Sequence, residues 1–511
     1  MLVKTYGCAV YGINAFLITI EVNIDPGVKF FLVGLPDNAV KESQQRIEAA
    51  LKNTGYKLPA KKIVINMAPA DIKKEGSAYD LPLAVGILAA SDQISTDKLN
   101  DYLIMGELSL DGSLRPIKGA LPIAIEARKQ GFKGFILPSV NAKEAAIVEG
   151  LEVIGVDHLP EVLDFLEDRT DIPPTVFNVQ DEFEKNAGVY DVDFSDVRGQ
   201  ENVKRAFEIA AAGGHNIILI GPPGAGKTML AKRLTSILPP MTLEEALETT
   251  KIHSVSGKLK EVSLITRRPF RSPHHTISDV ALVGGGAVPQ PGEISLAHNG
   301  ILFLDELPEF KRTVLEVLRQ PLEERKVTIS RAKFAVEYPA GFSLVASMNP
   351  CPCGYLNHPE KECICSPQAV QRYLSKISGP LLDRIDLHIE VTPVKFDELS
   401  SSQPGESSAS IRTRVIKARE IQLTRFRSHA GIFCNAQMTT RMIRQYCQLD
   451  ETGKSLLKNA MEKLDLSARA YDRILRVART IADLEQSESI RPHHIAEAIQ
   501  YRSLDRENWG K

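Results

Sequence analysis

The stretch GPPGAGKT, residues 221–228, constrains the fold of this chain more than any other segment. The apolar run IILI precedes it, and the helix-favouring run TMLAKRLTSIL follows it. A strand, a glycine-rich loop and a helix in this order predict a phosphate-binding loop, because glycines let backbone N–H groups turn towards an anion at a helix N-terminus. Such a loop is typical of an α/β core with a parallel central sheet.

The residue types in and around this loop predict a site for ATP and Mg²⁺. Lys227 is expected to reach the β- and γ-phosphates, and Thr228 is expected to ligate Mg²⁺. In GILFLDEL, residues 300–307, Asp305 would hold Mg²⁺ through its water shell and Glu306 would polarise the attacking water. The predicted nucleotide-binding residues are Gly221, Pro222, Pro223, Gly224, Ala225, Gly226, Lys227, Thr228 and Asp305.

Two more polar residues lie at the ends of predicted elements. The apolar run FSLVASMNP, 342–350, ends on Asn349, which suits a group that hydrogen-bonds the attacking water or the γ-phosphate. ISGPLLDRIDLHIEV, 377–391, places Arg384 between a predicted helix and a predicted strand. The spacing leaves two interpretations of Arg384: a functional cation, or a surface salt bridge with Asp383 or Asp386.

Together these motifs resemble the YifB/ComM family of magnesium-chelatase-like AAA+ ATPases. The most specific match is RPFRSPHHTISDVALVGGG running into PQPGEISLAHNGILFLDELPEF, 268–310, supported by NPCPCG and LSARAYDRILRVARTIADL. The resemblance covers essentially the whole chain. It implies an α/β fold in which an AAA+ P-loop core with a helical lid follows a Lon-protease-like α+β N-terminal domain.

Composition shifts and this resemblance give the expected domain boundaries. The N-terminal Lon-like domain spans 1–170 and the helical lid spans 411–511, on either side of a central ATPase core. The expected segments between them are a linker at 171–190, the ATPase core at 191–398 with its cysteine cluster at 351–365, and a second linker at 399–410.

The resemblance also assigns catalytic roles and an assembly. Beside Glu306, it makes Asn349 the sensor-1 residue and Arg384 an arginine finger inserted into the neighbouring subunit's site. Arg469 would be sensor 2 on the γ-phosphate, with Arg473, one helical turn further, as its rival. A finger supplied in trans implies a ring, and the family forms homohexamers.

The Lon-like domain is expected to lack peptidase activity. Lon resemblance implies a Ser–Lys dyad, but Ala78 aligns with the nucleophile and Leu121 aligns with the lysine. The alternative is that Ser77 acts with Lys118.

The net charge of −2 indicates that any nucleic-acid site is a local patch. The segment 326–342 predicts a β-hairpin with Arg331 and Lys333 near its tip, and RRPFRSPHH, 267–275, is the densest basic stretch. The remaining expected DNA contacts, all in that basic stretch, are Arg267, Arg268 and Arg271.

The resemblance implies a DNA helicase that drives branch migration in recombination and natural transformation, on branched or single-stranded DNA. The alternative is a motor that acts on a protein partner, either as a remodelling chaperone or as a magnesium-chelatase-like subunit.

Four of the seven cysteines, Cys351, Cys353, Cys363 and Cys365, form two C-x-C pairs. The longest apolar run, LPLAVGILAA, is far shorter than the ~20 residues of a membrane span, so we expect a cytoplasmic protein without a membrane partner. In a reducing compartment such a cluster favours a metal over disulfides. The pattern predicts tetrahedral Zn²⁺, with metal-free thiols as the alternative and with His358 as a loop residue.

Overall fold

The computed structural model describes most of the chain, in two compact units. The described residues are 2–186, 190–259, 262–286, 289–331, 334–358, 360–394, 405–429, 431–464, 466–502 and 504. One unit comprises Met1–Asn186 with Leu243–Thr266, and the other comprises Ala187–Thr242 with Arg267–Lys511.

The first unit is an α+β domain around a four-stranded sheet. Leu2–Tyr11 pairs antiparallel with Asn14–Asp25, and Asn14–Asp25 pairs antiparallel with Lys62–Ala68. Phe30–Val33 completes the sheet, parallel to Lys62–Ala68. The remaining strands form a parallel three-stranded sheet, Tyr102–Ile104, Gly134–Pro138 and Glu152–Val156, and a two-stranded one, Glu107–Leu108 with Leu114–Arg115.

The first unit also contains several helices. Asp80–Ala90 is buried along its whole length, as its continuously apolar sequence requires. The other helices are Asn38–Lys41, Ser43–Asn53, Ala120–Lys129, Ser139–Ala145, Leu159–Leu166, Val179–Asn186 and Leu243–Val255.

The helix Leu243–Val255 belongs to the first unit, although the sequence prediction placed it in the ATPase core. Its residue Ser254 explains the difference: the carbonyl oxygen accepts the N–H of Gly119 at 3.2 Å, and the hydroxyl donates to Glu144. Both partners are more than a hundred residues away in the chain. No local pattern could have indicated these contacts.

The predicted linker 171–190 contains the helix Val179–Asn186. The side chain of Asn178 accepts the N–H groups of Gln180 and Asp181 at 3.0 and 3.2 Å. Such a cap stabilises a helix start. The polar composition that indicated a linker is therefore that of a short exposed helix.

The second unit contains a parallel sheet of five strands. Their order across the sheet is Phe270–Arg271, Ile301–Leu304, Ser343–Met348, Ile217–Ile220 and Leu387–Glu390. This confirms the predicted α/β class with a central parallel sheet. The predicted hairpin is also present, as Lys326–Arg331 paired with Phe334–Pro339, and Gly284–Gly285 pairs with Gln290–Pro291.

The helices of the second unit divide between the core and a C-terminal helical region. That region begins at Ser408, inside the predicted linker 399–410, because the Ser407 side chain caps the N–H of Ser410. Its helices are Ser408–Phe426, Thr440–Tyr446, Glu451–Lys463, Ala468–Leu484 and Pro492–Gln500. The core helices are Glu201–Gly213, Lys227–Ile237, Asp279–Val283, Glu293–Leu296, Arg312–Glu316, Arg319–Glu324, Pro367–Leu374 and Gly379–Leu382.

Within the described ranges, every helix is too short or too polar to span a bilayer.

Candidate active site

Three neighbouring strands of the parallel sheet end at the residues that the sequence singles out. Gly221 follows Ile217–Ile220, and Asp305 follows Ile301–Leu304. Asn349 follows the strand between them, Ser343–Met348. Because these strands are parallel, the three residues meet at one edge of the sheet, where α/β proteins bind ligands.

The phosphate-loop backbone requires glycine at three positions. Gly224 and Gly226 have φ values of +80° and +82°, in the left-handed region that favours glycine. A Cβ on Gly221 would lie 2.3 Å from the carbonyl oxygen of Val391. The loop therefore has the backbone of an anion cradle, and its helix starts at Lys227.

The Lys227 ammonium is held at this loop by three oxygen acceptors. It donates to the carbonyl oxygens of Gly221 and Pro222 at 2.6 and 3.0 Å, and to Oδ1 of Asn349 at 3.0 Å. Burial lowers the pKa of Lys227, and the nearby carboxylates of Asp305 and Glu306 oppose that effect. Lys227 and Asn349, 122 residues apart, are thus brought into direct contact.

The carboxylate of Asp305 lies between two hydroxyl groups. Thr228 Oγ1 donates to Oδ2 at 2.8 Å, and Ser347 Oγ donates to Oδ1. Hydroxyl and carboxylate oxygens are the ligands that Mg²⁺ prefers. The sequence did not single out Ser347; its signal is its position near the end of the strand Ser343–Met348, two residues before Asn349.

The backbone of Glu306 is strained, with a φ of +53° that a non-glycine residue rarely adopts. Such strain is typical of functional positions. Its carboxylate lies 3.7 Å from Nδ1 of His275, a residue that the sequence predictions missed. His275 comes shortly after Phe270–Arg271, the sheet neighbour of the strand that leads to Glu306.

The structure gives Arg384 a salt-bridge partner that the sequence did not indicate. Its guanidinium contacts Oε1 of Glu323 at 2.6 Å and donates to the carbonyl oxygen of Pro380 at 2.5 Å. The alternative pairing with Asp383 or Asp386 is therefore wrong. Glu323 comes from the helix Arg319–Glu324, sixty residues earlier in the chain.

The two rival lid arginines differ in what they contact. Arg473 lies 2.9 Å from Oδ1 of the fully buried Asp386, whose other oxygen accepts the N–H of Asn216 at 2.9 Å. Burial alone would raise the pKa of Asp386, but Arg473 and His215 outweigh that effect and hold the pKa well below its usual range. Arg469 is 60% exposed, 3.4 Å from Asp383. This favours Arg469 for a ligand-binding role.

The four clustered cysteines bring their sulfur atoms together. Cys351 Sγ lies 3.3 Å from Cys353 Sγ and 3.6 Å from Cys363 Sγ, and all four sulfurs lie within 4.8 Å of one another. Tetrahedral Zn²⁺, with bonds of about 2.3 Å, places sulfurs about 3.8 Å apart. Each of these cysteines is a free thiol, and His358 serves the loop by accepting the N–H of Glu360 at 3.0 Å.

The basic residues predicted to contact DNA divide into two groups. Arg268 donates to the carbonyl oxygens of Pro239 and Asn299, and Arg271 binds Glu293 through two bonds of 2.6 and 2.8 Å. Both guanidinium groups therefore have partners within the chain, and a DNA contact by either arginine stays a prediction. Arg267 is exposed, Arg331 ends a hairpin strand, and Lys333 lies outside the described residues.

In the first unit, the residues aligned with the Lon dyad have other environments. Leu121 is fully buried, and Ala78 is partly buried and packs against the hydrophobic core of the unit. Ser77 donates its hydroxyl hydrogen bond to Glu107.

Three family models match successive stretches of the chain. The family described as Magnesium chelatase, subunit ChlI, matches residues 193–399. Subunit ChlI of Mg-chelatase matches residues 20–141, and Magnesium chelatase, subunit ChlI C-terminal, matches residues 405–502.

Several relatives match the chain over long stretches. YifB of Escherichia coli K12 is 46% identical over 98% of this chain and 96% of its own length. Competence protein ComM of Haemophilus influenzae is 46% identical over 98% of this chain and 97% of its own length. Lon protease 2 of Bacillus subtilis is 31% identical over 31% of this chain and 32% of its own length.

The chain is a magnesium-chelatase-like AAA+ ATPase with a Lon-like N-terminal region. Its parallel sheet and glycine cradle fit this class, as do Lys227, Asp305 and Asn349 at the sheet edge. Within that class, the chain belongs to the YifB/ComM family. Membership implies ATPase activity that uses ATP and Mg²⁺, and the residues at the sheet edge fit both ligands.

Proposed function

We propose that this protein is an ATP-driven motor that acts on DNA as a branch-migration helicase, in homologous recombination or natural transformation. The observation that carries the proposal is the 46% identity, over nearly the whole of both chains, to a protein named for competence. Competence is the capacity to take up and recombine DNA. We place this activity in the cytoplasm, on branched or single-stranded DNA.

The residues at the sheet edge supply what ATP hydrolysis needs. The loop 221–228 and Lys227 would hold the phosphates, and Thr228 with Asp305 would hold Mg²⁺, which neutralises charge as the γ-phosphoryl group transfers. Glu306 polarises the attacking water, and Asn349 orients it through its amide. The existing Lys227–Asn349 bond of 3.0 Å supports a shared position at the γ-phosphate.

The proposed assembly is a homohexameric ring in which Arg384 completes the site of a neighbouring copy. In the single chain this arginine pairs with Glu323, whose side chain is 52% exposed. An arginine supplied in trans stabilises charge in the transition state and couples hydrolysis to assembly. Formation of the ring would replace Glu323 by the phosphates of the adjacent site.

The DNA-contacting surface that we propose contains the hairpin tip with Arg331 and Lys333, together with Arg267. The hairpin strands Lys326–Arg331 and Phe334–Pro339 lie between the Asp305 and Asn349 strands in the chain. A cation at such a tip can follow the nucleic-acid backbone without reading sequence. Motion at the nucleotide site could thereby move the DNA.

The cysteine cluster is proposed to bind one structural Zn²⁺ through Cys351, Cys353, Cys363 and Cys365. Sulfur separations of 3.3 to 3.6 Å support it, since they approach those of a tetrahedral Zn²⁺ site. Metal analysis of the purified protein should give about one zinc per chain. Protein without zinc would contradict this part of the proposal.

The motor function is tested by ATPase and unwinding assays across single-stranded, duplex, forked and four-way DNA. Forked or four-way DNA should stimulate hydrolysis, and DNA binding should weaken as salt rises. An ATPase rate indifferent to every DNA would overturn the DNA role and leave the ATPase standing. Stimulation by a protein partner alone would favour the remodelling or chelatase-like alternative.

Reversal of the hairpin charges tests the contact surface. The double variant Arg331→Glu/Lys333→Glu should keep its basal ATPase and lose DNA stimulation. A matched control is Lys458→Glu/Lys463→Glu, which makes the same change of charge on the helix Glu451–Lys463. Unwinding at the wild-type rate in the hairpin variant would show that the tip is not the contact surface.

The variant Glu306→Gln tests the catalytic carboxylate. It should bind ATP as the wild type does, turn over about a hundred times more slowly, and remain hexameric in ATP. Glu309→Gln is the control, because Glu309 pairs with Lys376 at 3.2 Å on the surface. Equal turnover in the two variants would remove Glu306 from the mechanism.

A further inference from the structure

The loop that carries the four cysteines lies against the nucleotide site at two points. The first point is its start: a single residue, Pro350, separates Cys351 from Asn349, whose side chain holds Lys227 at 3.0 Å. Cys351 is fully buried, and its sulfur accepts the N–H of Leu356 at 3.3 Å. The position of Asn349 is therefore tied to that of the cluster.

The second point is Gly354, which packs against the phosphate loop. A Cβ on Gly354 would lie 2.5 Å from Cδ and 2.9 Å from Cγ of Pro223, the residue before Gly224 of the cradle. Gly354 has a φ of +84°, and its N–H donates to the carbonyl oxygen of Cys351 at 3.0 Å. The cluster thus holds a glycine against the proline ring of the loop that would bind phosphate.

We infer that Zn²⁺ in the cysteine cluster acts as a brace for the nucleotide site, so that zinc occupancy and nucleotide occupancy are coupled. The inference rests on the zinc proposed above, but it adds a role that a merely structural zinc does not have. With the four thiolates joined by the metal, the loop has one conformation, and Gly354 and Asn349 are fixed together. Without the metal both contacts loosen.

Thermodynamic coupling of this kind works in both directions by equal factors. Zinc should tighten nucleotide binding, and bound nucleotide should slow the release of zinc to a chelator. The second effect can be measured without hydrolysis or DNA, which separates it from the motor function. The probe is a chromophoric zinc chelator, with and without a non-hydrolysable ATP analogue.

The contact itself is tested by Gly354→Ala in the full-length protein. All four cysteines remain, so zinc content should stay near one per chain, while the new methyl group pushes against Pro223. We expect binding of the ATP analogue to weaken about tenfold, and its protection of zinc to disappear. Gly431→Ala is the matched control, because Gly431 also has a positive φ, +76°, but no atom within 4 Å of the added Cβ.

A double variant separates the contact from general damage. Pro223→Ala removes Cγ and Cδ, the two atoms that the methyl group would meet. The loss caused by Gly354→Ala should therefore be smaller in the Pro223→Ala background than in the wild type. Losses that simply add would indicate strain at Gly354 alone and would overturn the brace.

The outcomes distinguish the brace from the zinc site. Zinc-free wild-type protein would overturn both. Zinc-loaded protein in which Gly354→Ala binds the analogue normally would overturn the brace and leave the zinc site intact. Zinc release that is equally fast with and without the analogue would do the same.

Discussion

Each unit contains residues in positions typical of catalysis, but their side chains differ: the second unit has polar groups there, and the first has Ala78 and Leu121 at the expected dyad positions. In the second unit, Lys227, Asp305 and Asn349 meet at the edge of a parallel sheet with hydrogen-bonding atoms directed at each other. In the first unit, Leu121 fills the core at the position of the Lon lysine, and Ser77 donates to Glu107. Packing alone can preserve a fold after its chemistry is gone.

The largest expected effect is the loss of ATPase activity when a residue of the second unit is changed, with the first unit unaltered. Lys227→Ala should reduce ATPase activity by at least about a hundredfold, because the cation that stabilises the phosphates is lost. Ser77→Ala should leave ATPase unchanged and remove no peptidase activity, in an assay with a fluorogenic peptide. Lys232→Ala, at an exposed position of the same helix as Lys227, is the control.

Peptide cleavage that Ser77→Ala abolishes would show that the first unit still carries a working nucleophile. The same assay on Lys118→Ala would then test the alternative dyad.

A second test compares the two lid arginines by stability and by activity. Arg473→Ala leaves the buried Asp386 without its cation and should lower the free energy of unfolding by about 3–5 kcal/mol. Arg469→Ala removes an exposed pair worth about 1 kcal/mol at most, yet should reduce ATPase. Denaturant titration and steady-state hydrolysis give the two readouts.

The stability part of that test also has a predicted pH dependence. The pKa of Asp386 is depressed in the folded state, so its contribution is present above the ordinary carboxyl pKa of about 4. The contribution is lost as the pH falls below that value. The difference in free energy of unfolding between the wild type and Arg473→Ala should therefore decrease as the pH falls. A difference that increased in acid would contradict the assignment.

A further pH effect is expected at Asp80, a buried aspartate of the first unit. Burial raises its pKa to about 6, although Arg46 binds it at 2.7 Å and opposes the shift. A raised carboxyl pKa gives stability that is complete below about 4 and is lost as the pH rises through about 6. Asp80 and Asp386 are both buried beside an arginine, yet they should affect stability in opposite ways. As the pH rises, the contribution of Asp80 to the free energy of unfolding should decrease and that of Asp386 should increase.

The measurement is hydrogen exchange at the amides of Asp80–Ala90, corrected for intrinsic rates. Between pH 4 and 7 the free energy of unfolding of the wild type should decrease by up to about 3 kcal/mol relative to that of Asp80→Asn, whose side chain does not titrate. A difference between the two proteins that stays constant over this range would show that Asp80 is ionised throughout.

Much of the candidate site was readable from the sequence because its residues lie at strand ends with local signals. The glycine pattern, the carboxylates of Asp305 and Glu306 after an apolar run, and Asn349 after another each indicate a position at the sheet edge. What these motifs could not give is the set of side chains supplied from elsewhere in the chain. Ser347 was missed because no local motif marks it, and His275 was missed because the stretch 267–275 was interpreted only for its basic charge.

The basic residues show the limit most clearly. Sequence reports the charges of Arg268, Arg271 and Arg384, but not the partner that each long side chain has within the chain. In the structure Arg271 pairs with Glu293 and Arg384 pairs with Glu323. Arg268 donates hydrogen bonds to carbonyl oxygens. These partners lie about 20 to 60 residues away in the chain, so no local sequence pattern indicates them.

Sequence alone was enough to predict the parallel-sheet core, the phosphate-loop residues and the family, because phosphate chemistry imposes the spacing of glycine, lysine and carboxylate within a few residues. The tertiary structure decided which arginine binds buried Asp386, which unit contains Leu243–Val255, and that Gly354 touches Pro223. These depend on contacts between distant parts of the chain. Their energies arise from burial and charge pairing that exist only after folding.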